Sequence, residues 1–158
     1  MSKELHIVGF QVGRETFGVP ISQVHEIVRV PEITSVPDAP EAVVGVMNLR
    51  GKIVPVVDLR RRFGANTEAF TRKNRVVVAE VEGKLVGLVV DSASEVIKLA
   101  PSDVQPGSSM FQDQDLNYIT GVGKVRERLI ILIDLSRVLE RNELRRLTSV
   151  AEPAGATT

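Results

Sequence analysis

Three aspartates, Asp58, Asp91 and Asp134, each follow a short apolar run. A carboxylate at the end of a strand is where a phosphoacceptor of the response-regulator kind would stand. That chemistry belongs to a doubly wound sheet whose strands alternate with helices of about ten or more residues, and no such helices separate the runs here. One aspartate per repeated motif fits a helix N-cap instead, its side chain accepting a backbone N–H. The two histidines, His6 and His25, stand at metal-ligand spacing from neither another histidine nor a carboxylate pair, so they read as surface or strand-face residues. Gly121-Val122-Gly123-Lys124 imitates a phosphate loop, but the full pattern wants Gly where Tyr118 stands and Ser or Thr where Val125 stands. The triplet Arg60-Arg61-Arg62, with Arg72, Lys73 and Arg75 nearby, lacks the aromatic interleaving that stacks bases, and reads as a solvated helix face.

Composition agrees with an absence of catalytic and nucleic-acid machinery. Twenty basic and twenty acidic side chains cancel, leaving no global field to gather polyanions. There is no cysteine, hence no disulfide, thiolate metal site or cysteine nucleophile, and the composition is compatible with a reducing compartment. The N-terminus lacks a signal-peptide core, and the longest apolar run, Leu85 to Val90, is far below the roughly 20 residues of a membrane helix. A soluble intracellular protein without a cofactor is expected, its work protein binding.

The elements that position these residues are short β-branched runs bounded by Gly, Pro and charged pairs: His6 to Val12, Thr16 to Ile21, Val43 to Leu49, Ile53 to Val57, Arg75 to Val81, Leu85 to Val90, Tyr118 to Gly123 and Leu129 to Ile133. Their spacing predicts a mainly β sandwich or barrel. Gly13-Arg14, Arg50-Gly51 and Glu82-Gly83 are hairpin turns. The two halves also align. An offset of 69 carries Phe17-Gly18-Val19 onto Val86-Gly87-Leu88 and Glu26-Ile27-Val28 onto Glu95-Val96-Ile97. An offset of 76 carries Gly45-Val46 onto Gly121-Val122, Arg50 onto Arg126, Asp58-Leu59 onto Asp134-Leu135 and Arg61 onto Arg137, six identities in the nineteen positions from 45 to 63. A duplicated β unit accounts for both offsets, with copy 1 at about 7–63 and copy 2 at about 76–139. Each copy reads as hairpin, short helical turn, connection, second hairpin and closing helical turn, the two interlocking into one domain over 1–147. Ser22, Asp91, Asp58 and Asp134 are the expected N-caps. Leu135, Val138, Leu139, Leu144 and Leu147 predict a C-terminal helix over about 135–147, and 148–158 reads as a disordered tail.

The stretch Gly45-Val46-Met47-Asn48-Leu49-Arg50-Gly51-Lys52-Ile53-Val54-Pro55-Val56-Val57-Asp58-Leu59-Arg60 closely resembles the signature of the CheW family of chemotaxis coupling proteins. Further landmarks follow in order: Phe17-Gly18-Val19-Pro20-Ile21, Val24-His25-Glu26-Ile27, Val36-Pro37, Val86 to Asp91 and Tyr118-Ile119-Thr120-Gly121. The resemblance covers about residues 5 to 141 and implies two five-stranded SH3-like β-barrel lobes. It implies a non-enzymatic adaptor that links methyl-accepting chemotaxis receptors, at their cytoplasmic tips, to the regulatory domain of the histidine kinase CheA. The location it implies is cytoplasmic, at membrane-receptor arrays, with neither nucleic acid nor membrane insertion. A related adaptor serving pilus motility or development is the alternative within the family, and an aspartate phosphoacceptor or small enzyme the alternative outside it.

Carried over position by position, the receptor-binding groove between the lobes is lined by Ile21, Val24 and Ile27 from the first copy and Ala93 and Val96 from the second. Aliphatic side chains at i, i+3 spacing suit a helical partner. Arg50, in its Asn-Leu-Arg-Gly turn, has two open roles: bracing carbonyls, or reaching a partner carboxylate. Glu26, mirrored by Glu95, has the same two. Gly45 reads as a residue kept for backbone conformation or close packing.

Overall fold

The computed structural model describes residues 4–39, 42–63, 69–107 and 118–139. Eleven strands occur among them: β1 Leu5–Val12, β2 Glu15–Pro20, β3 Val24–Arg29, β4 Val43–Leu49, β5 Lys52–Asp58, β6 Arg75–Val81, β7 Lys84–Val90, β8 Ser92–Leu99, β9 Val104–Pro106, β10 Ile119–Val125 and β11 Arg128–Ile133. Two one-turn helices, α1 Leu59–Arg62 and α2 Leu135–Val138, follow β5 and β11. No helix among the described residues is long and apolar enough to cross a membrane.

Positive φ at two-residue turns gives the twist that hairpins need. Arg50-Gly51 (φ 50° and 88°) joins β4 to β5, Glu82-Gly83 (50° and 80°) joins β6 to β7, and Gly13 (64°) and Arg126 (56°) sit in the other two tight turns. The hairpins then exchange between the copies. A six-stranded sheet runs β8-β1-β2-β11-β10-β9 and a five-stranded one β3-β6-β7-β5-β4. Thus the first hairpin of copy 1 completes the lobe of copy 2, and the hairpin of copy 2, β6–β7, completes the lobe of copy 1. The joints are parallel pairs, β5 with β7 and β11 with β2. Gly18 and Gly87 lie in them: a Cβ on Gly18 would stand 2.7 Å from Ile7 Cδ1, and one on Gly87 2.8 Å from Val76 Cγ1.

These SH3-like lobes enclose three apolar clusters. Met47, Val54, Val56, Val76, Val78 and Val89 fill the first lobe, and Ile7, Ile97, Leu99, Ile130 and Leu132 the second. The largest cluster lies between the lobes and draws on both sheets, with Val8, Phe10, Val19, Val57, Val77, Ala79, Leu88, Val90 and Leu135 among its members. A strand with a lobe interior on one face and the inter-lobe core on the other must be apolar throughout, which is why Val76, Val77, Val78 and Ala79 are all buried in succession. Stacked rings of Phe10, Phe17, Phe63 and Tyr118, at centroid separations of 6.1, 4.7 and 5.7 Å, tie the lobes further.

Several local expectations are corrected. Of the helical turns expected at Ser22 and Asp91 only the first forms, and Pro20, with no side-chain cap bond, stands at its N-cap in place of Ser22. Ile21–Gln23 is one 3-10 turn leading into β3, and Asp91 leads straight into β8. Both stretches, Val24-His25-Glu26-Ile27-Val28 and Ser92 to Leu99, pair as edge strands, because each has an unfilled hairpin edge beside it, β6 and β1 respectively. Asp91 instead accepts a 2.6 Å hydrogen bond from Gly13 N–H, holding the crossover to the first turn. The second lobe has a sixth, three-residue strand, β9, matched in the first lobe by the single bridge Thr34–Val46. α2 stops at Leu139, whose backbone is extended (φ −92°, ψ 109°). The remainder of the expected 135–147 helix and the 148–158 tail lie outside the described residues.

Gly45 is the tightest of these points. Its φ is 154°, and a Cβ there would stand 2.0 Å from the carbonyl oxygen of Thr34, whose bridge to Val46 covers the β4 edge. Gly45→Ala must push that bridge away, and is expected to cost about 2 kcal/mol or more. A urea unfolding midpoint unchanged from the parent protein would contradict this.

Candidate functional site

β3 and β8 correspond under the 69-residue offset, and each is an outer strand of its sheet. The turn before β3 touches β1 and β6, and β8 touches β6, so the two edges flank a seam over the inter-lobe core to which Val8 and Phe10 of β1 and Val77 and Ala79 of β6 contribute. In a regular strand Val24 and Ile27 would point to opposite faces, since their spacing is odd. The ladder slips, however: Val24 opposes Ala79, Glu26 opposes Val78 and Ile27 opposes Val77. That bulge returns Val24 and Ile27 to one face, the side of the inter-lobe core to which Ala79 and Val77 belong. Copy 2 repeats the device. Ala93 opposes Phe10 and Val96 opposes Val8, with the slip between them, and Phe10 and Val8 belong to the same core.

All five expected groove residues therefore lie along this seam, with different exposure. Val24 and Ala93 are half-buried against the inter-lobe core, while Ile21, Ile27 and Val96 are 42%, 38% and 57% exposed. Three exposed aliphatics bordering a common seam make a strip able to bury a partner's apolar face.

The other face of β3 carries Glu26, and its carboxylate receives both Nη1 and Nη2 of Arg50, the second at 2.8 Å. This two-pronged bond ties the β4–β5 turn to the edge strand and, with the Arg50 charge, holds the Glu26 carboxyl below its ordinary range, against the opposing effect of partial burial. Asn48 Oδ1 accepts Gly51 N–H at 2.8 Å within the same turn. The bracing role of Arg50 is thus present in the geometry, although its side chain remains 73% exposed. Its repeat mate Arg126 shares the positive φ but not the bond: in copy 2, Glu95 is held at 3.0 Å by Arg128. Residue alignment alone gives no sign of that exchange of partner.

Asp58 and Asp134 cap α1 and α2, accepting Arg60 N–H at 2.9 Å and Ser136 N–H at 3.0 Å. Asp58 is wholly buried, and Arg60 Nε and Nη2 donate to its two oxygens at 3.1 and 3.0 Å. Arg60 is itself only 2% exposed and lies over the Phe70 ring at 5.0 Å. The basic triplet is therefore not a solvated face: Arg60 is interior, Arg62 Nε donates to Val138 O at 2.9 Å, and Arg61 alone is exposed. A phosphoryl donor has no route to the occupied carboxylate of Asp58. Besides Leu5 (43%) at the start of β1, two exposed aliphatics escaped the sequence reading, Ile53 (50%) and Leu129 (62%). The signal for them existed, since the 76-residue offset relates one to the other.

Two outcomes follow from these pairs. A carboxyl whose folded pKa is lowered stabilises the fold above its unfolded pKa, ordinarily near 4.5, and that contribution is lost as pH falls through the lowered value. Arg50→Ala, or Glu26→Gln, is expected to lessen stability at neutral pH and to flatten its fall below about pH 4.5; parallel acid-unfolding curves for parent and variants would refute it. Asp58→Ala takes the bidentate carboxylate away from the buried Arg60 guanidinium and is expected to cost about 3–5 kcal/mol in chemical denaturation, while the parent protein keeps its intact mass after incubation with acetyl phosphate.

A family model described as a CheW-like domain matches residues 6–143. The chain is 33% identical to the chemotaxis protein CheW of Klebsiella aerogenes, over 90% of this chain and 86% of that one. It is 34% identical to CheW of Rhizobium meliloti, over 87% and 88%. The crystal structure of the scaffolding protein CheW from Thermoanaerobacter tengcongensis superposes with a TM-score of 0.80 at 35% identity, covering 89% of this chain and 96% of that one. By sequence and fold alike, the chain belongs to the CheW-like family and is a non-enzymatic scaffold of chemotaxis signalling.

Proposed function

We propose that this adaptor couples methyl-accepting receptors to a CheA-type kinase at cytoplasmic receptor arrays, holding the receptor tip in the seam between β3 and β8. The observation that carries the reading is the pair of matched bulges, which turn Val24 with Ile27 and Ala93 with Val96 to the same seam. An amphipathic helix laid there covers Ile21, Ile27 and Val96 and rests on Val24 and Ala93. A change in kinase state follows only if receptor and kinase contacts differ between states, so the kinase needs a second surface. The outer faces carrying Ile53 and Leu129 supply candidates, and Leu129 lines an open cleft of about 750 Å³ with Lys124, Arg126 and Val122. Arg50 and Glu26 brace the receptor-side strand in this reading, and Gly45 keeps the β4 edge covered.

Ile27 and Val96 give a cleaner test than Val24, which is packed against the core, so that Val24→Glu perturbs folding as well as binding. Ile27→Glu and Val96→Glu are expected to weaken capture by a receptor cytoplasmic fragment at least tenfold. Their melting temperatures should change little, and binding to the kinase regulatory domain should persist. Leu129→Asp is expected to show the reverse selectivity. Undiminished receptor capture by both groove variants would refute the assignment of the seam.

A further inference from the structure

We infer that the seam selects a helix whose aliphatic stripe is flanked by carboxylates, read by Arg29 and Lys98; this rests on the receptor-binding reading above. The register places both cations. Arg29 lies two residues beyond Ile27 on the same face of β3, and Lys98 two beyond Val96 on the same face of β8. They correspond under the 69-residue offset, so each wall of the seam continues from aliphatic residues to an exposed cation. Neither makes an ion pair among the described residues.

Charges on edge strands also keep sheets from pairing with one another, but that purpose does not account for their sign. Arg29 stands directly opposite Arg75, and like charges in cross-strand pairs are destabilising. Arg75 donates to the carbonyls of Arg72 and Asn74, at 2.6 and 2.8 Å, which turns its guanidinium from the like charge of Arg29 but supplies no counter-charge to it. A glutamate at position 29 would guard the edge equally and pair with Arg75. At the other wall Lys98 stands opposite His6, which has Glu4 at 3.8 Å, so Lys98 too lacks an acid of its own. Two related positions that both carry an exposed cation without an ion-pair partner among the described residues, one of them directly opposite another arginine, match an anionic partner. The acidic residues belong at the borders of the stripe, because the seam between the cations is lined by Val24, Ile27, Ala93 and Val96.

The test uses the full chain and a purified receptor cytoplasmic fragment, with binding measured across ionic strength. The parent protein should bind more weakly as salt rises. Arg29→Glu/Lys98→Glu should bind about tenfold more weakly at low salt, the gap closing to within about twofold near 0.5 M, where the Debye length shrinks to a few ångströms. Arg29→Glu alone should melt at a higher temperature than the parent, since it pairs with Arg75 while still guarding the edge. If the parent binds and the double variant binds equally well at low salt, the charge reading is overturned and the aliphatic seam stands. If the parent itself fails to bind the fragment, the receptor reading falls with it.

Discussion

Neither copy of the duplicated unit can close its own sheet. Each lobe is completed by a hairpin from the other copy, joined through one short parallel pairing, and the rest of the architecture follows from that exchange. Strands handed across must be apolar on both faces, because one face enters a lobe and the other the shared core. Gly18 and Gly87 stand at the joints, where a Cβ would crowd the neighbouring aliphatic side chains of Ile7 and Val76. The exchange also places the crossovers β2–β3 and β7–β8 at the seam and makes β3 and β8 edge strands.

An edge strand is a liability that proteins blunt with bulges, charges or cover. Here the bulges have a second consequence. By changing side-chain parity partway along β3 and β8, they send aliphatic residues toward the seam while turning Glu26 and Glu95 to the opposite face, where arginines clasp them. The clasps hold edge strands that pair on one side only. The seam is therefore braced through its edge strands and carries exposed aliphatic side chains at Ile21, Ile27 and Val96.

Duplication preserved the backbone more faithfully than the side-chain chemistry. The positive φ at Arg50 recurs at Arg126, yet the clasp moves to Arg128. The cap at Asp58 recurs at Asp134, yet only Asp58 holds a buried guanidinium, while Asp134 bonds the Ser136 hydroxyl at 2.7 Å. Backbone geometry is constrained by the closure of each lobe, whereas a clasp needs only some cation within reach.

Local pattern alone determined much of this protein: eight strands from β-branched runs, the turns from their glycines, the duplication from two offsets, the caps at Asp58 and Asp134, and the CheW-like resemblance from one unbroken signature. These signals lie within a few residues of one another, or repeat at constant spacing. What tertiary structure decided was everything that depends on a neighbouring strand. β3 and β8 read as helical turns until an open hairpin edge gave them partners. The odd spacing of Val24 and Ile27 would put them on opposite faces of a regular strand, but a bulge brings them to one. Arg60 went inside because Asp58 awaited it there, and Glu95 took Arg128 because that guanidinium came within reach. Sequence spacing specifies which atoms are available; only packing determines which of them meet, since pairing energy is realised across strands that lie far apart in the chain.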